Sequence, residues 1–269
     1  MKRFLLLCLI YFWVATANSQ EGFHLGASGT FSSTWILNQN NYGTLEPFQK
    51  SYVKQSEMDY LPTWGGNAGV VLGYTFPKNI GVQAELQYNV TGQKYEDNFE
   101  GPATVPVDSG SVTLGSASVR VNVKRNIKLQ YLQIPILFKA LAGKSEKAKF
   151  FVCIGPQIGF RTYAFEEVKV GDIPYSNLPF KASEKFKAVD VGLALQTGVE
   201  IYATRYLFID IGLSAYGGLN DLNSKAMKEL EWYSKNDVSY QKSYNFRAGL
   251  MVGVHYVFVK WRDKERLQY

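Results

Sequence analysis

From residue 187 to 219 apolar side chains occupy every second position through two consecutive segments. Val189, Val191, Leu193, Leu195, Thr197, Val199 and Ile201 share one parity, against Asp190, Gly192, Ala194, Gln196, Gly198 and Glu200. After Ala203-Thr204-Arg205 the alternation resumes, with Leu207, Ile209, Ile211, Leu213 and Ala215 against Asp210, Gly212 and Ser214. A two-residue period predicts β-strands with one apolar face and one small or polar face. Carboxylates on the polar face send the other face to an oily phase. That phase is a protein core in a soluble sheet, or lipid in a membrane barrel.

Eight segments carry the pattern: roughly 22–35, 65–76, 80–92, 127–141, 149–164, 187–202, 206–219 and 244–259. The connections alternate in length. Residues 77–79, 142–148 and 203–205 are short, whereas 36–64, 93–126, 165–186 and 220–243 are long. In an up-and-down barrel this puts short turns at one end and long loops at the other, periplasmic and extracellular respectively in outer-membrane barrels. The predicted fold is therefore all-β, an eight-stranded antiparallel up-and-down transmembrane β-barrel with long extracellular loops and short periplasmic turns. A soluble lipocalin-like ligand carrier has the same strand count with its apolar parity inside. Its outer surface here would be rich in Gly, Gln and Asn with few charges, a poor face for water. Aromatic residues near the strand ends (Tyr74, Phe76, Tyr202, Phe208, Tyr256 and Phe258) suit a girdle at the membrane interface.

The first 19 residues read as a secretory signal peptide: Lys2 and Arg3, an apolar run, then Ala17-Asn18-Ser19. Residues 20–259 form the expected barrel and residues 260–269 a basic periplasmic tail. Beyond the leader only Cys153 remains, so no internal disulfide is expected. Removing Lys2 and Arg3 leaves a mild net charge of about +4, which with export argues against nucleic-acid binding. No later apolar stretch is long enough for a spanning helix.

The last strand reads Met251-Val252-Gly253-Val254-His255-Tyr256-Val257-Phe258. Gly253, Tyr256 and Phe258 resemble the assembly signal of bacterial outer-membrane barrels, which implies the barrel-assembly machinery as a partner. Met251 departs from the polar residue usual at its first position, and eleven residues follow Phe258. Further stretches are Gly81-Val82-Gln83-Ala84-Glu85-Leu86-Gln87-Tyr88, Leu129-Gln130-Tyr131-Leu132-Gln133-Ile134-Pro135-Ile136-Leu137, Gly155-Pro156-Gln157-Ile158-Gly159 and Arg247-Ala248-Gly249-Leu250. Through these, residues 20–258 resemble the PorT-like small outer-membrane β-barrel family of Bacteroidota. The resemblance implies a bacterial outer-membrane location and outer-membrane lipid as surroundings. It implies little about activity, since fold analogy does not carry function.

The inward parity holds both charge signs. Glu85, Lys139, Arg161, Asp190, Glu200, Asp210 and Arg247 are the expected lumen polar network, with Lys139 paired to Glu85, Glu200 or Asp210. A barrel of this size is filled by its own side chains, so a plug is expected rather than a pore. His24 and His255 are the only histidines, and no Gly-x-Ser-x-Gly elbow or metal-ligand spacing accompanies them. No catalytic, metal or cofactor site is expected. In the loop 220–243 a short helix near Ser224–Tyr233 is plausible by its cap, and Trp232 and Tyr233 are candidate partner-binding residues. The reading is a non-enzymatic barrel, a structural or accessory subunit of an envelope or protein-secretion assembly. A lipid-modifying barrel enzyme is the alternative within the membrane.

Overall fold

A computed structural model describes residues 22–37, 57–101, 104–107, 110–113, 119–145, 147–171, 173–174, 181–204, 206–229 and 240–258. The signal-peptide and tail expectations, and Trp232 and Tyr233, lie outside these residues. The strands are β1 (Gly22–Leu37), β2 (Glu57–Leu61), β3 (Trp64–Phe76), β4 (Ile80–Gly101), β5 (Thr104–Val107), β6 (Gly110–Thr113), β7 (Val119–Ala142), β8 (Ala148–Val170), β9 (Ile173–Pro174), β10 (Val189–Tyr202), β11 (Leu207–Gly218) and β12 (Tyr244–Phe258). Two single helical turns, α1 (Ala182–Lys185) and α2 (Lys225–Lys228), lie in the long connections. Among the described residues no helix is long and apolar enough to cross a membrane.

Eight strands form a closed antiparallel ring. β1, β3, β4, β7 and β8 pair in sequence, β8 pairs β10, and β11 and β12 lead back to β1. The last seam joins Phe23 to Phe258 and runs to Leu37 opposite Tyr244. Closure leaves no ring strand with an unpaired edge, the condition for a sheet in hydrocarbon.

The alternation sorts side chains as lipid demands. Phe31, Leu72, Leu86, Ile136, Phe138, Ile154, Leu213 and Leu250 point outward and are exposed, while the opposite parity is buried. On β7 the outward apolar run extends from Leu132 to Ala142. Ten residue steps of about 3.3 Å, tilted about 40°, span about 25 Å, the height of an outer-membrane apolar band.

Above Leu132 the polarity of the two faces reverses. The outward set on β7 becomes Gln130, Lys128, Asn126 and Lys124, and the inward set becomes Tyr131, Leu129, Ile127 and Val123. β4 shows the same change, with Lys94 outward and Tyr95 inward. This reversal corrects the sequence-based bounds. Residues 93–101 and 165–170, read from the sequence as connections, continue β4 and β8 beyond the membrane, and the alternation that reaches Val123 extends the fourth ring strand as β7 from Val119. The two-residue period persists there, but the outer face meets water and the inner face packs. The result is an asymmetric stalk, with β2 added beside β4 and β5–β6 as a separate hairpin.

Two aromatic clusters mark the short-turn end: Phe23, Tyr74 and Phe76, and Tyr206, Tyr256 and Phe258. Tyr202 and Phe208 do not join this girdle. Both occupy the inward parity, and the Phe208 ring stacks on His255 at 4.5 Å within the lumen.

Because Ile136 sits mid-belt, Ile136→Arg is expected to cost about 2–4 kcal/mol in lipid-refolding titrations, against about 0–1 kcal/mol for Gln130→Arg at the boundary. Equal costs at the two positions would contradict this placement of the membrane.

Candidate functional site

The lumen is the densest collection of chemistry in the molecule, and it is stacked in levels. Nearest the short turns lie Lys139 from β7, Glu200 from β10, Asp210 from β11, and His24 and His255 from the β1–β12 seam. Lys139 Nζ is 2.8 Å from Glu200 and 4.0 Å from Asp210, whose carboxylate is 3.2 Å from His255 Nε2. The ammonium also faces the rings of Phe208 and Phe151, at 4.9 and 5.5 Å from their centroids. The two histidine rings lie 5.4 Å apart, edge to face. Glycines make this level possible. A Cβ at Gly73 would overlap the His24 ring, and one at Gly26 the His255 ring.

Glu85 does not pair with Lys139. It accepts hydrogen bonds from three amides instead: Gln83 Nε2 at 2.6 Å, Gln196 Nε2 at 3.0 Å, and Gln87. Above it, the Arg247 guanidinium donates to the amide oxygens of Gln133 at 2.7 Å, Gln157 at 3.2 Å and Asn89, and lies over the Tyr216 ring. Asp190 accepts from Asn245 Nδ2 at 2.8 Å, and Asn245 also reaches the Tyr131 hydroxyl at 3.3 Å. Buried charges are thus met by amides as much as by opposite charges, which satisfies lone pairs and protons that would otherwise go unpaired.

A dry layer closes the top. Ile36, Tyr95, Ile127, Leu129, Tyr131, Phe186 and Leu222 form one buried cluster, with the Tyr95 hydroxyl donating to the Ile36 carbonyl at 2.8 Å. Phe186 and Leu222 come from the long connections, so the loops themselves stopper the barrel. Above them Glu166 is shared by Arg125 Nε at 2.5 Å and Lys185 Nζ at 2.9 Å, all three fully buried. The α1 segment is clasped to the α2 connection: Lys187 N donates to Leu222 O and Ser224 N to Lys185 O, both at 2.8 Å. Ser224 caps α2, a single described turn, and the part of the expected helix from residue 230 to Tyr233 lies outside the described residues.

Arg161 is not part of the lumen network. A β-bulge pairs Gln130 with Tyr163 but Tyr131 with Arg161, so β8 changes faces at this point. Arg161 turns half-exposed and donates to the carbonyls of Ala182 at 3.2 Å and Ser183 at 2.8 Å, holding α1. The same slip hid Glu166, whose inward position follows only after the parity changes. Lys185 and Arg125 were missed because they lay in presumed loops; the isolated apolar Phe186, Leu222 and Met227 were the available signal.

Residues 17–224 match the sequence profile described as the outer membrane protein beta-barrel domain. The chain belongs to this family. This outer-membrane barrel resides in the bacterial outer membrane, with lipid around its apolar belt. No curated protein sequence matches it significantly. Among solved structures it is similar to Neisserial surface protein A, at 11% identity and TM-score 0.41 over 88% of this chain and 97% of that one. It is also similar to OprG from Pseudomonas aeruginosa, at 11% identity and TM-score 0.37 over 90% of this chain and 100% of that one. The attachment invasion locus protein Ail of Yersinia pestis gives 12% identity and TM-score 0.33, over 88% and 99% respectively. Among the barrel's described residues no group of three or more His, Cys, Asp or Glu side chains is placed to hold a metal ion.

Removing one member of the lower ion pair strands a buried charge. Glu200→Gln is expected to destabilise the barrel by about 3–5 kcal/mol, and Glu200→Gln with Lys139→Met by less than the two single changes together. Denaturant titration in detergent measures both; additive effects would contradict the pairing.

The upper latch is expected to respond to pH. Burial is the main cause that lowers Lys185 to about 7; the Arg125 guanidinium adds to it, and Glu166 opposes both. The docked state then holds fewer protons than the undocked state between about 7 and the ordinary lysine value of 10.5, so docking strengthens as pH rises through that window. Hydrogen exchange of amides 182–186, corrected for intrinsic rates, should show greater protection at about pH 9 than at about pH 7. Lys185→Met should flatten that difference.

Proposed function

We propose that this protein is a PorT-like barrel of Bacteroidota that works without catalysis, as a structural or accessory subunit of an envelope assembly. Protein secretion is the assembly suggested by the sequence resemblance. The observation that carries the reading is the stoppered lumen. Lys139 with Glu200 fills the lower level, the Glu85 and Arg247 amide networks the middle, and Phe186 with Leu222 the top. A channel needs a continuous wet path, and a lipid-modifying enzyme needs a nucleophile or base within reach of an ester. His24 and His255 are each 1% exposed and face inward, which weighs against the enzyme alternative.

Supporting a docking role, β4, β7 and β8 project beyond the membrane on one side of the ring and offer a rigid shelf rather than loose loops. Partner-binding by Trp232 and Tyr233, in the connection 220–243, belongs to the same proposal. For biogenesis, Gly253, Tyr256 and Phe258 are proposed as the signal read by the barrel-assembly machinery. Gly253 occupies the inward parity of β12, and Tyr256 and Phe258 the exposed lipid face beside the closing seam.

Affinity purification from gently solubilised outer membranes tests the subunit reading. A stoichiometric envelope protein should co-purify, and the purified barrel should be silent in planar bilayers. A solitary barrel with steady conductance would overturn it. His24→Ala with His255→Ala should leave lipid hydrolysis and acyl transfer at background in wild type and variant alike.

A further inference from the structure

Strand register sets the outer wall of β4, β7 and β8 in rows of paired residues. Leu132 lies between Tyr88 and Phe160, Gln130 between Val90 and Tyr163, and Lys128 between Gly92 and Phe165. Above these, Asn126 lies between Lys94 and Glu167, and Lys124 between Glu96 and Lys169. The wall therefore passes from aliphatic to aromatic and amide, then to lysine, without a break.

Successive rows are about 5 Å apart along the membrane normal at the usual strand tilt. Gln130, whose side chain accepts from the Tyr88 hydroxyl at 2.6 Å, marks the edge of the belt. Lys128 then lies about 5 Å above that edge, in the headgroup layer, and Lys94 and Lys124 about 10 and about 15 Å above it, with stems long enough to reach back toward that layer. The two carboxylates are already engaged: Glu96 accepts from Asn122 Nδ2 at 2.8 Å, and Glu167 lies 3.3 Å from Lys169. Lys94 and Lys128 have no carboxylate partner among the described residues. Between the rows is a recess of about 290 Å³, lined by the lysines Lys94, Lys124 and Lys169 and by the two engaged carboxylates Glu96 and Glu167.

We propose that this wall binds the phosphate-bearing headgroup of an outer-leaflet lipid. Lys94, Lys124 and Lys128 contact the phosphate, and the aromatic rings of Tyr163 and Phe165 sit below it at the acyl boundary. The wall is continuous with the lipid-facing belt below it, so its ligand arrives laterally from the leaflet. Lysine is a compact point charge suited to phosphate, and its long stem reaches up from an apolar wall. A free anion would gain nothing from the apolar floor, whereas a lipid gains from both.

The test uses the full protein in detergent, titrated with diphosphoryl lipid A and with the same lipid dephosphorylated, read by native mass spectrometry. The phosphorylated form should bind, and Lys94→Gln, Lys124→Gln and Lys128→Gln together should weaken it on the order of a hundredfold, about fivefold per lysine. Lys78→Gln, Lys144→Gln and Lys147→Gln remove equal charge at the opposite end and should change nothing. Heat-modifiable gel migration reports folding of both variants, and the single variants Lys94→Gln and Lys128→Gln serve if the triple one is unfolded. Equal binding of the dephosphorylated lipid, or equal weakening by the two triple variants, would overturn the proposal. So would displacement of the lipid by millimolar inorganic phosphate, which would make this a site for a soluble anion.

Discussion

Pairing of β1 with β12 is the contact on which the rest of the molecule depends. Hydrocarbon offers no partner to a backbone N–H or C=O, so an open strand edge inside the bilayer is untenable. The seam from Phe23–Phe258 to Leu37–Tyr244 removes that edge. Closure at eight strands then fixes the interior width, and the width allows little but the protein's own side chains. The polar plug is therefore a consequence of the strand number before it is a matter of particular residues.

Within that space each charge is given company. The acidic pair Glu200 and Asp210 shares Lys139, while Glu85 and Arg247 are each surrounded by amides rather than by one another. Amides can donate and accept at once, so they fit between levels of opposite sign. Burying ions is costly, and their retention in a sealed interior is better explained by what surrounds them than by attraction alone. At the upper mouth the burden passes to the loops. Asp221 illustrates this: burial pushes its carboxyl up, but hydrogen bonds from Tyr240, Ser243, Asn223 and Lys228 outweigh it and hold it below its usual range.

The barrel was legible in the sequence because lipid enforces strict alternation: Val189 to Ile201 and Phe246 to Phe258 needed no tertiary information to read. The inward places of Glu200, Asp210 and Arg247 follow from the same parity. What could not be read was set by other forces. Tyr95, Ile127 and Leu129 face inward where outward apolar residues were the rule, because the solvent outside changes from lipid to water along one strand. Arg161 and Glu166 were obscured by a single extra residue in β8. Phe208 left the girdle because it shares the inward parity of Asp210, and there it stacks on His255. Partners such as Gln87 for Glu85 were invisible, since uncharged amides carry no signal of whom they face.

The slip in β8 at Arg161 also separates two frames of inside and outside. Below it, odd-numbered residues face the lumen; above it, even-numbered ones do. A one-residue change in the upper part of β8 can thus be absorbed at this joint, while Phe150 to Phe160 keep facing acyl chains.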